Sequence, residues 1–278
     1  MRKIRFLPLI FASFILSSCS LVFVNPFKDS EKESIPDGGS LGNIVDPSEV
    51  VYQSNFKSYK DLAKRGLYKS HYSPSTGDVN VLVIPIAFSD TSNKPNNLIS
   101  DLNKVFNGTS KDTGWESFSS YFNKSSYGNL NVKATIAPTY FTYDRRASYL
   151  GNDDDKCSKT SECIQSAVNW YKTTYHSNLK EFDSDNDGFI DSVICIYLEH
   201  DYYVANNNYE NFWAYTYFCD NSGTGDLSSP KLDCFMWASY DFMYSNNGYG
   251  SQYINLDAHT YIHEFGHCMG LQDYYNYD

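Results

Sequence analysis

The sequence contains no Cys-x-x-Cys pair, no internal repeat and no apolar run long enough to cross a bilayer. The first absence speaks against a structural zinc ribbon. The second leaves residues 49–278 to be read as one α+β domain, and the third speaks against a helical membrane span. Positive charge is scarce: 22 Lys and Arg stand against 33 Asp and Glu, for a formal net charge of -11. That balance argues against a nucleic-acid partner and suits cation binding or plain solubility. No cysteine falls within residues 20–77, so latency through a cysteine switch is excluded for that stretch.

What is present begins with an export signal. Arg2, Lys3 and Arg5 precede an apolar stretch from Phe6 to Leu16 that is too short for a membrane span. It ends Leu16-Ser17-Ser18-Cys19, which resembles a bacterial lipobox with Cys19 as the acylated residue. Residues 1–19 are therefore expected to be a lipoprotein signal peptide. The lipid would anchor the protein to the membrane at the bacterial cell surface. Residues 20–48, rich in Ser, Asp, Glu, Pro and Gly, read as a flexible tether.

Within the domain, residues 56–67 have the spacing of a short helix ending at Gly66. Asp78–Asp90 reads as a buried strand, with Pro85 indicating an edge or a bulge. A helix is expected over Leu98–Phe106, stopping at Asn107-Gly108. Thr113-Gly-Trp-Glu116 reads as a capping box for the next helix. Tyr127-Gly128-Asn129 should turn the chain into a strand pair over Leu130–Tyr143. The triple Asp153–Asp155 reads as solvent-facing, before a helix from Ser161 to about His176. Strand-like pieces follow at Val193–Leu198, Phe212–Phe218 and Leu232–Tyr240. Setting Cys19 aside, the sequence-local pairs Cys157 with Cys163 and Cys219 with Cys234 are the favoured disulfides, with Cys195 and Cys268 as buried thiols.

The strongest chemical signal is His263-Glu264-x-x-His267. Residues four apart lie on one helix face, where two imidazoles can reach one zinc at about 2.0–2.1 Å. Glu264 projects about a third of a turn away, where it can take a proton from water and later pass it to a leaving amine. Gly270 can end the helix in a left-handed conformation, and the reversed chain then brings Asp273 back as a third zinc ligand. His259 lies one turn upstream, too far along a straight helix to share the ion, and reads as a solvent-facing or supporting residue.

A second metal signal is Asp183-Ser-Asp185-Asn-Asp187-Gly188-Phe-Ile-Asp191. Alternate carboxylates around a glycine turn resemble a calcium loop of the EF-hand kind. Position 12 is Ile194, so the bidentate Glu is missing and the loop runs straight into an apolar strand. Calcium held by Asp183, Asp185, Asp187 and Asp191 would then be structural, pinning the loop to the sheet.

The string His263-Glu-x-x-His267-x-x-Gly270-x-x-Asp273 is similar to the metzincin pattern, with Asp in place of the third His. Together with Asp273-Tyr-Tyr it looks like the signature of immune inhibitor A-type zinc metalloproteases. Three further pieces resemble that family in the same order: the strand Val79–Asp90, the segment Ser119–Leu130 with its Ser-Tyr-Gly turn, and Asp183–Tyr197. Phe212-Trp213 resembles its Trp-containing strand. The resemblance covers about residues 78–278. It implies a metzincin-like zincin domain with a twisted mixed sheet and an active-site helix. It also implies extracellular endopeptidase activity on protein or peptide substrates, with zinc for catalysis and calcium for stability, and a monomer is expected. In zincins an edge strand beside the metal pairs with extended substrate, and Phe212–Phe218 is the candidate. The sequence given stops five residues after Asp273, before the methionine turn such enzymes place beneath the zinc. It is therefore expected to be part of a longer protein or a truncated relative. The competing expectation is a non-catalytic calcium-binding surface lipoprotein on the same fold.

Overall fold

The structure, a computed structural model, describes residues 71–92, 94–151, 158–201, 205, 209, 211–219, 224–244 and 256–271. The signal peptide with Cys19, the tether, the helix expected at 56–67, Asp153–Asp155, Cys157 and Asp273 lie outside these residues.

The described residues form six strands and six helices: β1 (Gly77–Ala87), α1 (Leu98–Asn107), α2 (Ser110–Thr113), α3 (Phe118–Ser125), β2 (Leu130–Ile136), β3 (Phe141–Thr142), α4 (Ala147–Gly151), α5 (Ser158–Tyr175), β4 (Val193–Tyr197), β5 (Tyr215–Phe218), β6 (Cys234–Ser239) and α6 (His259–Cys268). The strands make one mixed sheet in the order β2-β1-β4-β6-β5, with β3 also beside β1. All pairings are parallel except that of β5 with β6.

Alternation along the strands divides the core in two. Val79, Val81, Val83, Ile194, Ile196, Met236 and Ala238 join one buried cluster with α1, α3 and α6. Leu82, Ile84, Ile86, Val193, Tyr197, Phe235 and Trp237 join a second with α4 and α5. Helices thus cover both faces, which is why β1, β4 and β6 read as continuous apolar runs.

Pro85 stands in an inner strand, contrary to the expectation of an edge or bulge. Val83 O accepts from Ala137 N, and Ala87 O from Tyr143 N. By alternation, the nitrogen of Pro85 faces the same flank. There β2 has ended at Ile136 and β3 begins at Phe141, so no ladder bond is missed. The stretch Leu130–Tyr143 is likewise not a strand pair: β2 and β3 each run parallel to β1. The capping box at Thr113 is also displaced. Gly114, at φ 73°, ends α2, and Ser117 with Ser120 caps α3 instead. Helix α1 stops at Gly108 as expected, where a Cβ would come within 2.3 Å of the Lys104 carbonyl.

Neither favoured disulfide forms. Cys163 and Cys219 are free thiols, as are Cys195, Cys234 and Cys268. Cys219 lies opposite Asp233 in the β5–β6 ladder, one register step from Cys234. Neighbouring residues of a strand point to opposite faces, so Cys219 packs with the second cluster and Cys234 is buried in the first.

Candidate metal centre

Helix α6 is amphipathic in a way that fixes its roll. Tyr261, Ile262, Phe265, Cys268 and Met269 are buried, and His259 and His263 are exposed along the opposite stripe. Phe265 meets Phe118 and Phe122 of α3, each with ring centroids 5.1 Å apart. Tyr261 lies over Phe106 of α1 at 5.2 Å, and its hydroxyl donates to Ser239 O at 2.9 Å. Burying that hydroxyl with its partner makes the anchor directional as well as apolar.

This roll brings His263 and His267 together, with their Nε2 atoms 3.2 Å apart. Two nitrogens each about 2.0–2.1 Å from one tetrahedral zinc would be about 3.3 Å apart, so the pair fits the ion. His267 Nδ1 is 2.8 Å from Leu271 O. A carbonyl only accepts, so Nδ1 carries the proton and Nε2 keeps its lone pair for a metal. That carbonyl is in place because the helix ends in a Schellman motif. Gly270 N donates to His267 O, Leu271 N donates to Gly266 O, and Gly270 takes φ 90°.

Glu264 is buried, at 6% exposure, one residue from the first histidine. Thr216 of β5 donates its hydroxyl to Glu264 O at 2.7 Å, and its oxygen lies 3.4 Å from Glu264 Oε2. The antiparallel last strand of the sheet is thereby fastened to α6 beside the histidines, with Tyr215–Phe218 as its extent, shorter than the Phe212–Phe218 read from the sequence. His259 faces solvent, stacked on Trp115 at 4.2 Å with its Nδ1 on Asp257 Oδ1.

The acidic loop is a separate place. Asp183, Asp185 and Asp187 each offer a ligand oxygen, and these lie within 4.8 Å of one another. Asp183 accepts from the N–H groups of Asp187 and Gly188, at 2.9 and 3.0 Å. Asn186 and Gly188 take φ 56° and 85° to close the turn. A Cβ on Gly188 would fall 2.5 Å from Asp226 N, and one on Gly225 2.2 Å from Asp187 O, so the 224–229 loop clamps this turn by backbone contact. Asp191 is not part of the three-carboxylate group. Its Oδ2 accepts from Ser184 N at 2.9 Å. Burial, then the Asp185 and Asp183 charges, push its carboxyl up to about 7 against the Ser184 hydrogen bond.

Some participants carry no signal in the sequence. His71 places Nδ1 2.8 Å from Asp187 Oδ2 and stacks on Phe189 at 3.7 Å. Ser73 donates its N–H to Cys268 O and its hydroxyl to Asp191 O, joining the end of α6 to the acidic loop. These residues and Thr216 come from distant parts of the chain, so only tertiary contact brings them to the site.

No protein-family model matches the chain, and no curated protein matches it.

Proposed function

We propose that the chain is a zinc-dependent endopeptidase of the immune inhibitor A type, built on a metzincin-like domain and lipid-anchored through Cys19 at the bacterial cell surface. The observation that carries this reading is the His263–His267 pair, with Nε2 atoms at metal-sharing distance and Glu264 buried beside them. His263, His267 and Asp273 would hold the ion. Zinc, when bound, supplies a Lewis acid that polarises a carbonyl and acidifies water.

The chain's own groups do the rest. The Leu271 carbonyl keeps His267 in the tautomer that offers Nε2. Thr216 holds the backbone of Glu264, so the carboxylate enters from a fixed turn. Glu264 accepts one proton from the attacking water, whose oxygen bonds to the peptide carbon. It returns that proton to the leaving nitrogen as the C–N bond breaks, so the carboxylate is regenerated each cycle. Among the described residues β5 is the outermost strand beside α6, and an extended peptide added along it would run past that helix. Asp183, Asp185 and Asp187 would hold calcium away from the chemistry, as a staple of the turn before β4.

Casein cleavage by zinc-loaded protein, compared with Glu264→Gln, tests the reading. Cleavage abolished by the substitution, with zinc content unchanged, is the expected result. Wild-type cleavage by the variant overturns the mechanism. No cleavage by either protein, with calcium still raising Tm, favours the non-catalytic calcium-binding lipoprotein instead. Cys19→Ser should move the exported protein from the detergent phase to the aqueous phase, and partitioning unaffected by the substitution removes the anchor.

A further inference from the structure

Three consecutive residues ahead of β1 meet the acidic loop, the sheet and the end of α6 at once. His71 stacks on Phe189, sets Nδ1 2.8 Å from Asp187 Oδ2 and donates its N–H to Asp233 Oδ2 at 3.2 Å. Tyr72 meets Phe218 of β5 edge to face, with ring centroids 5.0 Å apart, and lies against Gly270. A Cβ on Gly270 would fall 3.1 Å from two of the Tyr72 ring carbons. Ser73 is fully buried, and its hydroxyl donates to Asp191 O at 2.7 Å. Pro74 follows and disfavours the helical region for Ser73. Gly77, at φ 88°, donates its N–H to Asn129 O as β1 begins.

The last four carbonyls of a helix have no partner within it, so what completes α6 can be followed bond by bond. Phe265 O accepts from Met269 N, Gly266 O from Leu271 N and His267 O from Gly270 N, all supplied by the closing turn. Cys268 O, the last of the four, accepts from Ser73 N at 2.9 Å. The turn is therefore gripped at two points, by Ser73 at Cys268 and by the Tyr72 ring at Gly270. The next residue is Leu271, whose carbonyl meets His267 Nδ1.

We propose that residues 71–73 are a strap that positions the His267 imidazole. The strap holds the turn at 268–271, and through it the carbonyl that keeps the proton on Nδ1 and leaves Nε2 free. Tyr72 and Ser73 are positioning residues, acting on His267 through the turn, and His71 fastens the far end of the strap to Asp187 and Asp233. Loosening the outer hydrogen bond of a ligand imidazole costs about 10–100-fold in metal affinity. The Nδ1 bond exists without metal, so the strap's role stands apart from the peptidase reading, and only its consequence for zinc rests on that reading.

The test uses the metal-free whole chain with isotope-labelled histidine. Hydrogen exchange of the His267 Nδ1 proton is followed by NMR, its signal assigned by its absence from His267→Gln, and zinc affinity is measured alongside. Tyr72→Ala removes the ring behind Gly270. Exchange should quicken by about tenfold, and zinc affinity should fall by about 10–100-fold. Tyr72→Phe keeps the ring and should match wild type in both. Val168→Ala loosens α5 in the second cluster, away from α6, and should lower Tm while leaving both readouts at wild-type values. A proton unprotected in wild type, exchange unchanged in Tyr72→Ala, or exchange quickened equally in Val168→Ala would each overturn the proposal, whatever zinc does. A protected proton that Tyr72→Ala exposes, in a chain whose wild type takes up no zinc, upholds the strap and sinks the zinc reading.

Discussion

Helix α6 and the acidic loop both announce a metal in the sequence, and the structure holds them in different ways. On α6 the ligand geometry is made by a rigid element: apolar side chains lock the roll, and a glycine-ended turn aims His267. In the loop, carboxylates are gathered by a turn whose own N–H groups bond to them, at Asp183 from Asp187 and Gly188 and at Asp191 from Ser184. The helix can therefore lose its ligands and keep its fold. At Asp183 and Asp187 the carboxylate that would meet an ion also holds the turn, so altering one alters the other. A site for chemistry calls for the first arrangement and a structural staple tolerates the second.

The largest effect should come from Glu264→Gln. With zinc retained, turnover on casein should fall by about 10²–10⁴-fold, the usual contribution of a positioned general base, while Tm moves little. A large loss of Tm would merge the two regions, because the helix would then depend on its functional group for stability.

Next is Gly188→Ala in the loop. The residue sits at φ 85°, with a Cβ position 2.5 Å from Asp226 N, so strain and backbone clash act together. A destabilisation of about 1–3 kcal/mol is expected from denaturant unfolding, with kcat per folded molecule preserved. Asp185→Asn should be milder, because the side chain is exposed. Without calcium its Tm should stand at or slightly above wild type, because the Asp185 charge that bears on Asp191 is gone. With calcium at about a hundred times Kd, wild type should gain about 2.7 kcal/mol and the variant much less. An equal gain in both would remove Asp185 from the staple.

The smallest effect is a pH dependence outside both regions. Glu199, just past β4, accepts from Thr91 Oγ1 at 2.6 Å. Burial, with the Asp90 and Asp241 charges behind it, holds its carboxyl above the ordinary range against the Thr91 bond and the His200 charge. A raised folded-state value favours the protonated form. Its contribution to stability is thus full below the ordinary glutamate range, about pH 4, and is lost as pH rises through the folded value. Glu199→Gln has no such loss, so the variant's Tm should gain on wild type between about pH 4 and 7. A constant difference across that range would contradict the shift.

How much of this was legible beforehand varies by element. The continuous apolar runs of β1, β4 and β6, the end of α1 at Gly108, and the turn at Gly270 are local signals, and the structure realises them. Pro85 misled because a proline's tolerance depends on which neighbouring strand has ended, and that is a property of the sheet. Leu130–Tyr143 misled because two strands close in sequence ordinarily pair with each other, yet here each pairs with β1. Cys219 and Cys234 are neighbours in sequence and in space, but the pleat sends their side chains to opposite faces. In the candidate site, His263, Glu264 and His267 follow from helical spacing alone. Thr216 and the Leu271 carbonyl that orient them do not, since one comes from an edge strand and the other from the geometry of the helix end.

Zinc titration of the whole chain beside His267→Ala and Asp185→Asn probes the division between the two regions most directly. Tight binding of one zinc by wild type and by Asp185→Asn, lost in His267→Ala with the metal-free Tm little changed, is the predicted result. Zinc binding that survives His267→Ala and disappears with Asp185→Asn would place the ion in the acidic loop and contradict the assignment of α6 as the catalytic metal helix.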